Sequence, residues 1–321
     1  MKSKQMVIIV AGSLLSMSVA HAQIFPTRPI RVIVPYSPGG STDVLLRLLA
    51  PHMSEFLGQQ VIVENRPGGS STIGLDLTAK APPDGHTVGI PNIAFGANPS
   101  LFKHLPFDSE KDLLPVSQIS IVTLVLSVHP SVPAKSVKAL IALAKKSPGA
   151  LNYASAGNAS ANHLATERFS SVTGIKMTHV PYKGGGPAVV SLVAGETSAL
   201  FATIPSALQH FKSGRLRPLA VSSLKRSVAL PEVPSIAEAA APGFEANEWN
   251  GALVPAGTPR AAIDKLYQAI AKTIEIPAVR SRIVTLGADP IASTPEQFGA
   301  FIKSEFVTWA KVIKEVGIKV E

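Results

Sequence analysis

The chain has 321 residues, 46% of them apolar and 16% charged, with a formal charge of +9 and no cysteine. Such an apolar share excludes an intrinsically disordered chain. The missing cysteines exclude a disulfide framework, a thiolate metal site and a lipid anchor on an N-terminal cysteine.

The first segment in chain order reads as an export signal. Lys2 and Lys4 precede an apolar run from Met6 to Val19, and Ala20-His21-Ala22 supplies a small-x-small cleavage site. The run is too short and wrongly flanked for a spanning helix. Residues 1–22 are therefore expected to be cleaved after Ala22, leaving a periplasmic chain that begins at Gln23 and is not itself inserted in a membrane. At about 150 residues per domain, the remainder is enough for two domains. Lysines and arginines are scattered rather than clustered, which argues against nucleic acid as a partner and leaves a weak attraction for anions.

Ile30 to Tyr36 reads as a strand and Ser37 to Asp43 as a Gly/Ser-rich turn. A helix over 42–57 follows, with Val44, Leu45, Leu48, Leu49, Met53 and Phe56 on one face. Val61 to Asn65 is a second strand, ended by Arg66-Pro67-Gly68-Gly69. A helix runs roughly from Ser71 to Lys80, and Thr87 to Ile90 gives a third strand. The β-branched stretch Val116 to Val128 is too long for one short strand and is read as a crossing between lobes.

A second α/β set follows. It comprises a helix over 136–146, a strand at Asn152, the turn Ser155 to Ser160, and a helical stretch through His163 to Arg168. A strand near 176–180, a helix opened by Pro187, and strands at Leu200 and 216–221 complete it. Glu248 to Pro255 looks like the return crossing. Thr258-Pro259 opens a helix, and Thr294-Pro295-Glu296-Gln297 opens the last one with a capping box. The pattern predicts an α/β protein of two lobes, each with a mainly parallel, doubly wound sheet, joined by two crossover strands. The expected boundaries are 23–124 plus 247–321 for the first lobe and 125–246 for the second.

The turns after Tyr36 and Ala154 repeat one device: a strand, a Gly/Ser/Asn-rich turn and a helix start with unpaired backbone donors. Helix N-termini carry positive partial charge, so such turns are anion seats. Two of them suggest a binding protein whose lobes grip the two ends of one small acid.

The ordered blocks Pro26-Thr27-Arg28-Pro29-Ile30, Gly39-Gly40 with Asp43, Val63 to Gly68, Pro83-Asp84-Gly85, Leu151 to Ser155, His179 to Gly185, Leu230 to Ser235 and Pro255 to Pro259 carry a resemblance. Across essentially its whole mature length the chain resembles the Bug family, the receptors of tripartite tricarboxylate transporters. The resemblance implies a type II periplasmic binding protein, a Venus flytrap without catalysis or cofactor. It would hand a small carboxylate, a di- or tricarboxylate or an aromatic acid, to integral membrane transporter subunits. An exported enzyme on the same scaffold and a ligand sensor for a membrane kinase are the alternatives.

In the first seat, Tyr36, Pro38, Gly39, Gly40, Ser41 and Thr42 are candidate ligand residues. The glycines allow close backbone approach, and the hydroxyls can donate. Asp43 is read as a cap or brace, because a carboxylate there would repel an anion. In the second seat Ser155, Gly157, Asn158, Ser160 and His163 are candidates, His163 being equally well a buried structural residue. In the family Ala159 is commonly glycine, so here either the backbone is right-handed or the loop is shifted. Tyr182 could line the cleft, as could Ala202 and Thr203. Many relatives carry an acid at Ala202, and its loss argues against amino acids as ligands. Trp249 is read as hinge packing or as a roof over the cleft. The eight histidines show no metal spacing, and no nucleophile elbow or dinucleotide fingerprint occurs.

Overall fold

The computed structural model describes residues 25–317, so the expected export signal lies outside the described residues. The first elements are β1 (Ile30–Val34), α1 (Ser41–Leu57), β2 (Val61–Asn65), α2 (Thr72–Ala79), β3 (Thr87–Gly89) and α3 (Ile93–Leu101). β4 (Leu113–Val122) and β5 (Leu124–Val128) follow, then α4 (Val137–Lys146), β6 (Asn152–Ser155), α5 (Ala161–Thr173) and β7 (Thr178–Pro181). Next come α6 (Gly185–Ala194), β8 (Ala199–Thr203), α7 (Ile204–Lys212), β9 (Arg217–Val221) and α8 (Ile236–Ala239). The chain ends with β10 (Glu248–Pro255), α9 (Arg260–Glu275), α10 (Pro277–Thr285), β11 (Ala288–Pro290) and α11 (Pro295–Val316).

Local chemistry accounts for most boundaries. Ser136 caps α4 by accepting from the Ala139 N–H, and Thr294 with Gln297 forms the capping box of α11. α6 starts at Gly185, two residues before the proline expected to open it; Pro187 is tolerated there because first-turn N–H groups have no intrahelical acceptor. α1 buries Leu45, Leu46, Leu49, Met53 and Leu57, whereas Phe56 is 42% exposed. Its apolar face is rotated from the expected one because β2 and α9 flank the helix.

Two sheets form, ordered β11-β4-β10-β3-β1-β2 and β7-β6-β8-β5-β9. They are mixed rather than mainly parallel. β1 pairs parallel with β2 and β3, and β6 with β7 and β8, but β10 runs antiparallel to β3 and β4, and β5 antiparallel to β8 and β9.

The stretch 113–128 does cross: β4 lies in the first sheet, β5 in the second, and the break falls at Thr123. The return differs from expectation. All of β10 lies in the first sheet, paired with β4 from Glu248↔Val122 to Pro255↔Leu113, so the chain has already crossed before Glu248. Ser222 ties the two crossings together. Its Oγ accepts from the Leu124 N–H and donates to Asn247 Oδ1, and its carbonyl accepts from the Ala246 N–H. One apolar cluster spans the hinge side, with Phe169, Phe201 and Phe244 of one lobe continuous with Trp249 and Phe298 of the other. Trp249 packs edge-on against Phe298 and Phe301 and donates to Glu305 at 2.7 Å, which makes it hinge packing.

Candidate functional site: the cleft between the lobes

In a parallel βα unit the helix starts at the carboxyl end of its strand, and ligands collect outside those ends. Here α1 follows β1, α3 follows β3, α5 follows β6, α6 follows β7 and α7 follows β8. All of these helix starts meet at one small interlobe cavity of about 40 Å3, lined by Gly40, Ser41, Thr42, Asn92, Ser160, Ala161, Asn162, Gly184, Gly185, Thr203 and Ser206 together with Tyr36 and Glu248. The sequence suggested two helix ends; the fold supplies five. Those of α1, α6 and α7 carry no side-chain cap, which leaves their first-turn N–H groups for another acceptor.

A wider cavity of about 560 Å3 adjoins it, sharing Tyr36, Ser37, Ala156, Ser160 and Gly184 and adding the 67–71 loop, Gly157, Asn158 and Tyr182. Two hydrogen bonds latch the lobes over it: Ser37 Oγ donates to the Lys183 carbonyl, and Ser70 Oγ donates to the Asn158 carbonyl at 2.5 Å. Ser70 and Ser71 hold positive φ, 53° and 76°, a strained conformation kept at the rim of a site. The hydroxyls of Tyr36 and Ser71 are buried close to one another, Tyr36 also close to the Asn92 backbone, without a well-formed hydrogen bond. Both residues line the wider cavity, where a bound acid could accept from them. Burial raises the Tyr36 pKa, so its hydroxyl stays protonated and available as a donor.

The first turn is braced by Asp43. Its carboxylate accepts from the Gly39 N–H, from Arg47 and from Asn65, none of which lines either cavity. Burial opposes its ionisation, but these donors outweigh burial and hold its pKa below the ordinary range. Pro38 and Gly39 are exposed and line neither cavity, so they shape the turn rather than touch its contents. The hydroxyls of Ser41 and Thr42 are not free either. Ser41 Oγ donates to Glu248 at 3.1 Å, and Thr42 Oγ1 donates to Asn250 Oδ1 at 2.6 Å.

The second turn also differs from expectation. Ser155 and His163 sit behind it. Ser155 Oγ accepts from the Gly157 N–H and meets His179 Nε2 at 2.6 Å; His163 Nδ1 accepts from the Ala159 N–H. The rings of His163 and His179 stack at 4.2 Å, with Tyr153 stacked on His179 at 4.9 Å. Burial, with His179 adjacent, lowers the His163 pKa to about 3, and burial lowers His179 to about 4. Both rings are neutral supports. Ala159 takes a left-handed φ of 58°, so the right-handed alternative for this loop is excluded. Ser160 caps α5, and its hydroxyl proton goes to the Gly157 carbonyl.

Tyr36, Gly40, Ser41, Thr42, Ser160, Ala202 and Thr203 thus come together at the inner cavity, and Gly157, Asn158 and Tyr182 at the outer one. Sequence reasoning missed Asn92, Asn162, Ser206 and Glu248. Asn92 caps α3 by accepting from the Ala94 N–H, a local signal the sequence carried at that helix start.

Two mixed sheets, a doubled crossing and a polar cleft ringed by helix starts define a two-lobe binding protein of the periplasmic type. The model of the tripartite tricarboxylate transporter receptor family matches residues 45–318, and the chain belongs to that family. Protein BugT of Bordetella pertussis is 40% identical over 304 residues, covering 94% of this chain and 93% of BugT. Among solved structures, Rpa4515 of Rhodopseudomonas palustris with adipate is 35% identical with a TM-score of 0.89, covering 92% of this chain and 99% of that one. MatC of the same organism, with bound malate, is 30% identical with a TM-score of 0.85, covering 90% and 100%. Among the described residues, no helix is long and apolar enough to cross a membrane.

Proposed function

We propose that the chain is an exported periplasmic receptor that captures a small carboxylate in the interlobe cleft and delivers it to the membrane subunits of a tripartite tricarboxylate-type transporter. The convergence of helix starts from both lobes on one cavity carries this reading. A helix end favours an anion by ~0.3–1 kcal/mol, up to about 2 when partly buried, so several ends acting together contribute a few kcal/mol. Micromolar affinity requires about 8 kcal/mol, and charge-assisted hydrogen bonds of roughly 1.5–3 kcal/mol each supply the rest. Backbone N–H groups of Ser41, Ala161, Asn162 and Gly185, with the Tyr36 hydroxyl, are the donors we assign to them. Lining one cavity from two lobes, they suit an acid held at both ends, and dicarboxylates such as the malate and adipate bound by the relatives are the first ligands to test.

Native mass spectrometry of protein purified from the periplasm should show a retained small acid, with the chain starting at Gln23. Calorimetry should then give saturable binding of malate, adipate or benzoate, with the acid recovered unaltered. Absence of binding by all carboxylates tried would refute the proposal, and conversion of the acid would favour an exported enzyme.

A further inference from the structure

Glu248 lines the inner cavity and is 5% exposed, yet among the described residues no lysine, arginine or histidine lines that cavity with it. Counting its donors shows how poorly an ionised carboxylate is served. Ser41 offers one hydroxyl proton at 3.1 Å to Oε1. Thr42 Oγ1 lies 3.4 Å from Oε1 but donates its proton to Asn250 at 2.6 Å, and Asn92 Nδ2 is at 3.5 Å. Each is too long or already committed. A neutral carboxyl fits better, since its own O–H can be donated onward.

The groups facing Glu248 are few. From α1 come Ser41 and Thr42; Asp43, the only charge in that turn, is directed at Arg47 and Asn65. From the start of α3 comes Asn92, and from the loop after β1 the protonated Tyr36. The neighbouring Trp249 joins Glu305, which with Arg168 and Glu245 lines a separate cavity that Glu248 also borders; none of these three bonds to Glu248.

We propose, building on the carboxylate-receptor function above, that Glu248 makes anion capture proton-linked: the site accepts a carboxylate when Glu248 is neutral and donates its O–H to the ligand or to the hydroxyls that hold it. No bond between heavy atoms changes. A proton from solvent joins the Glu248 carboxylate, and the carboxyl then shares the cavity with the acid. An ionised Glu248 beside the α1 N-terminus is instead a built-in anion on the seat the ligand needs. Burial, only partly offset by Ser41, Asn92 and Thr42, pushes Glu248 up to about 7, so the switch falls in the range a periplasmic protein meets.

The test uses the whole mature protein with malate, adipate, benzoate, aspartate and glutamate as probes, by calorimetry from pH 6.5 to 8.5, where the ligand carboxylates are ionised. By proton linkage, Kd of the acid that binds should weaken roughly 25-fold across that range. At pH 7.5, titrations in phosphate and in Tris should reveal uptake of most of one proton, roughly 0.8, per acid bound. Glu248→Gln should flatten the pH profile and abolish the uptake; the buffer comparison on the wild-type chain stands even if that variant fails to fold. A constant Kd without proton uptake overturns the proposal and leaves the receptor function intact. Tighter binding of aspartate or glutamate as pH rises overturns it too, by showing Glu248 ionised as a counter-ion for an ammonium group. If no probe binds at any pH, the carboxylate-receptor function falls and the proton linkage with it.

Discussion

Gly184→Ala should separate closure of the lobes from their stability. Gly184 ends the turn before α6 with φ of 116°, and a Cβ there would lie 2.7 Å from Ser37 Oγ and 2.8 Å from Ser37 Cβ, across the cleft. Ordinary carbon contacts are about 3.5–4 Å, so the overlap is close to ~1 Å. Two costs follow, and they act on different states. The backbone conformation strains alanine by roughly 1–3 kcal/mol whether the lobes are open or closed, which lowers the denaturation midpoint. The collision with Ser37 exists only when the lobes meet and costs roughly 1–3 kcal/mol, by the measure of overpacking elsewhere. Affinity should therefore fall roughly 5- to 150-fold. The assay is calorimetry with the acid that binds wild-type protein, alongside small-angle scattering of the liganded form. Adding Ser37→Gly removes both clashing atoms and should recover much of the affinity, less roughly 0.5–1.5 kcal/mol for the lost Ser37–Lys183 hydrogen bond. Gly174→Ala is the conformational control, with φ of 65° and nothing within 4 Å, and should lower stability alone. Wild-type affinity for Gly184→Ala, or no recovery in the double variant, would refute closure at this contact.

Three further outcomes are expected. Asp43→Asn weakens the charge-assisted bonds to the Gly39 N–H and Arg47 and should cost about 1–3 kcal/mol in urea denaturation at pH 7. Because its folded pKa is depressed, this contribution is present above the ordinary carboxylate range and is lost as pH falls through the lower folded value, so wild type and variant should converge in acid. For His163 and His179 the folded pKa values are also depressed, so below pH ~6.5 the unfolded chain takes up protons that the folded one refuses. Stability should therefore fall as pH drops from 6.5 towards 4, and neither ring should titrate above pH ~5 by NMR. Gly251→Ala would set a Cβ 2.0 Å from Phe298 Cζ and should destabilise by roughly 1–3 kcal/mol, whereas Gly186→Ala, in open space on α6, should be neutral or slightly stabilising in the same thermal melt.

The strands, the capped helices and the two Gly/Ser turns were legible because their signals are local. Alternating apolar runs, the Thr294 to Gln297 box and the Gly39-Gly40 pair each act within a few residues. Sheet direction was not, since β10 and β5 read like any other strand and only tertiary pairing shows that they run backwards. The same limit applies to the site. Ser155 and His163 are polar residues in a polar turn, and only the stacking of His163 on His179 and the bond that the Gly157 N–H donates to Ser155 Oγ turn them inward. Glu248 escaped notice because it lies over 200 positions from Ser41 along the chain, yet 3.1 Å away in space.

That distance bears on how such a fold acquires specificity. Helix starts at strand ends follow from the βα connection itself, so every lobe built this way presents donors to its cleft, and those donors favour any anion of fitting size. Selection among acids must then come from side chains that the topology does not dictate. Two positions stand out on opposite walls: Ala202, where a carboxylate would recognise an amine and none is present, and Glu248, where a carboxyl faces the first helix start. An acid on the second lobe could pair with a ligand ammonium while leaving the α1 donors free. An acid at Glu248 contends with the ligand for those donors, and it stops contending once it holds a proton. Moving the carboxyl group from one wall to the other therefore changes what the cleft measures, from the charge of the ligand to the acidity of its surroundings.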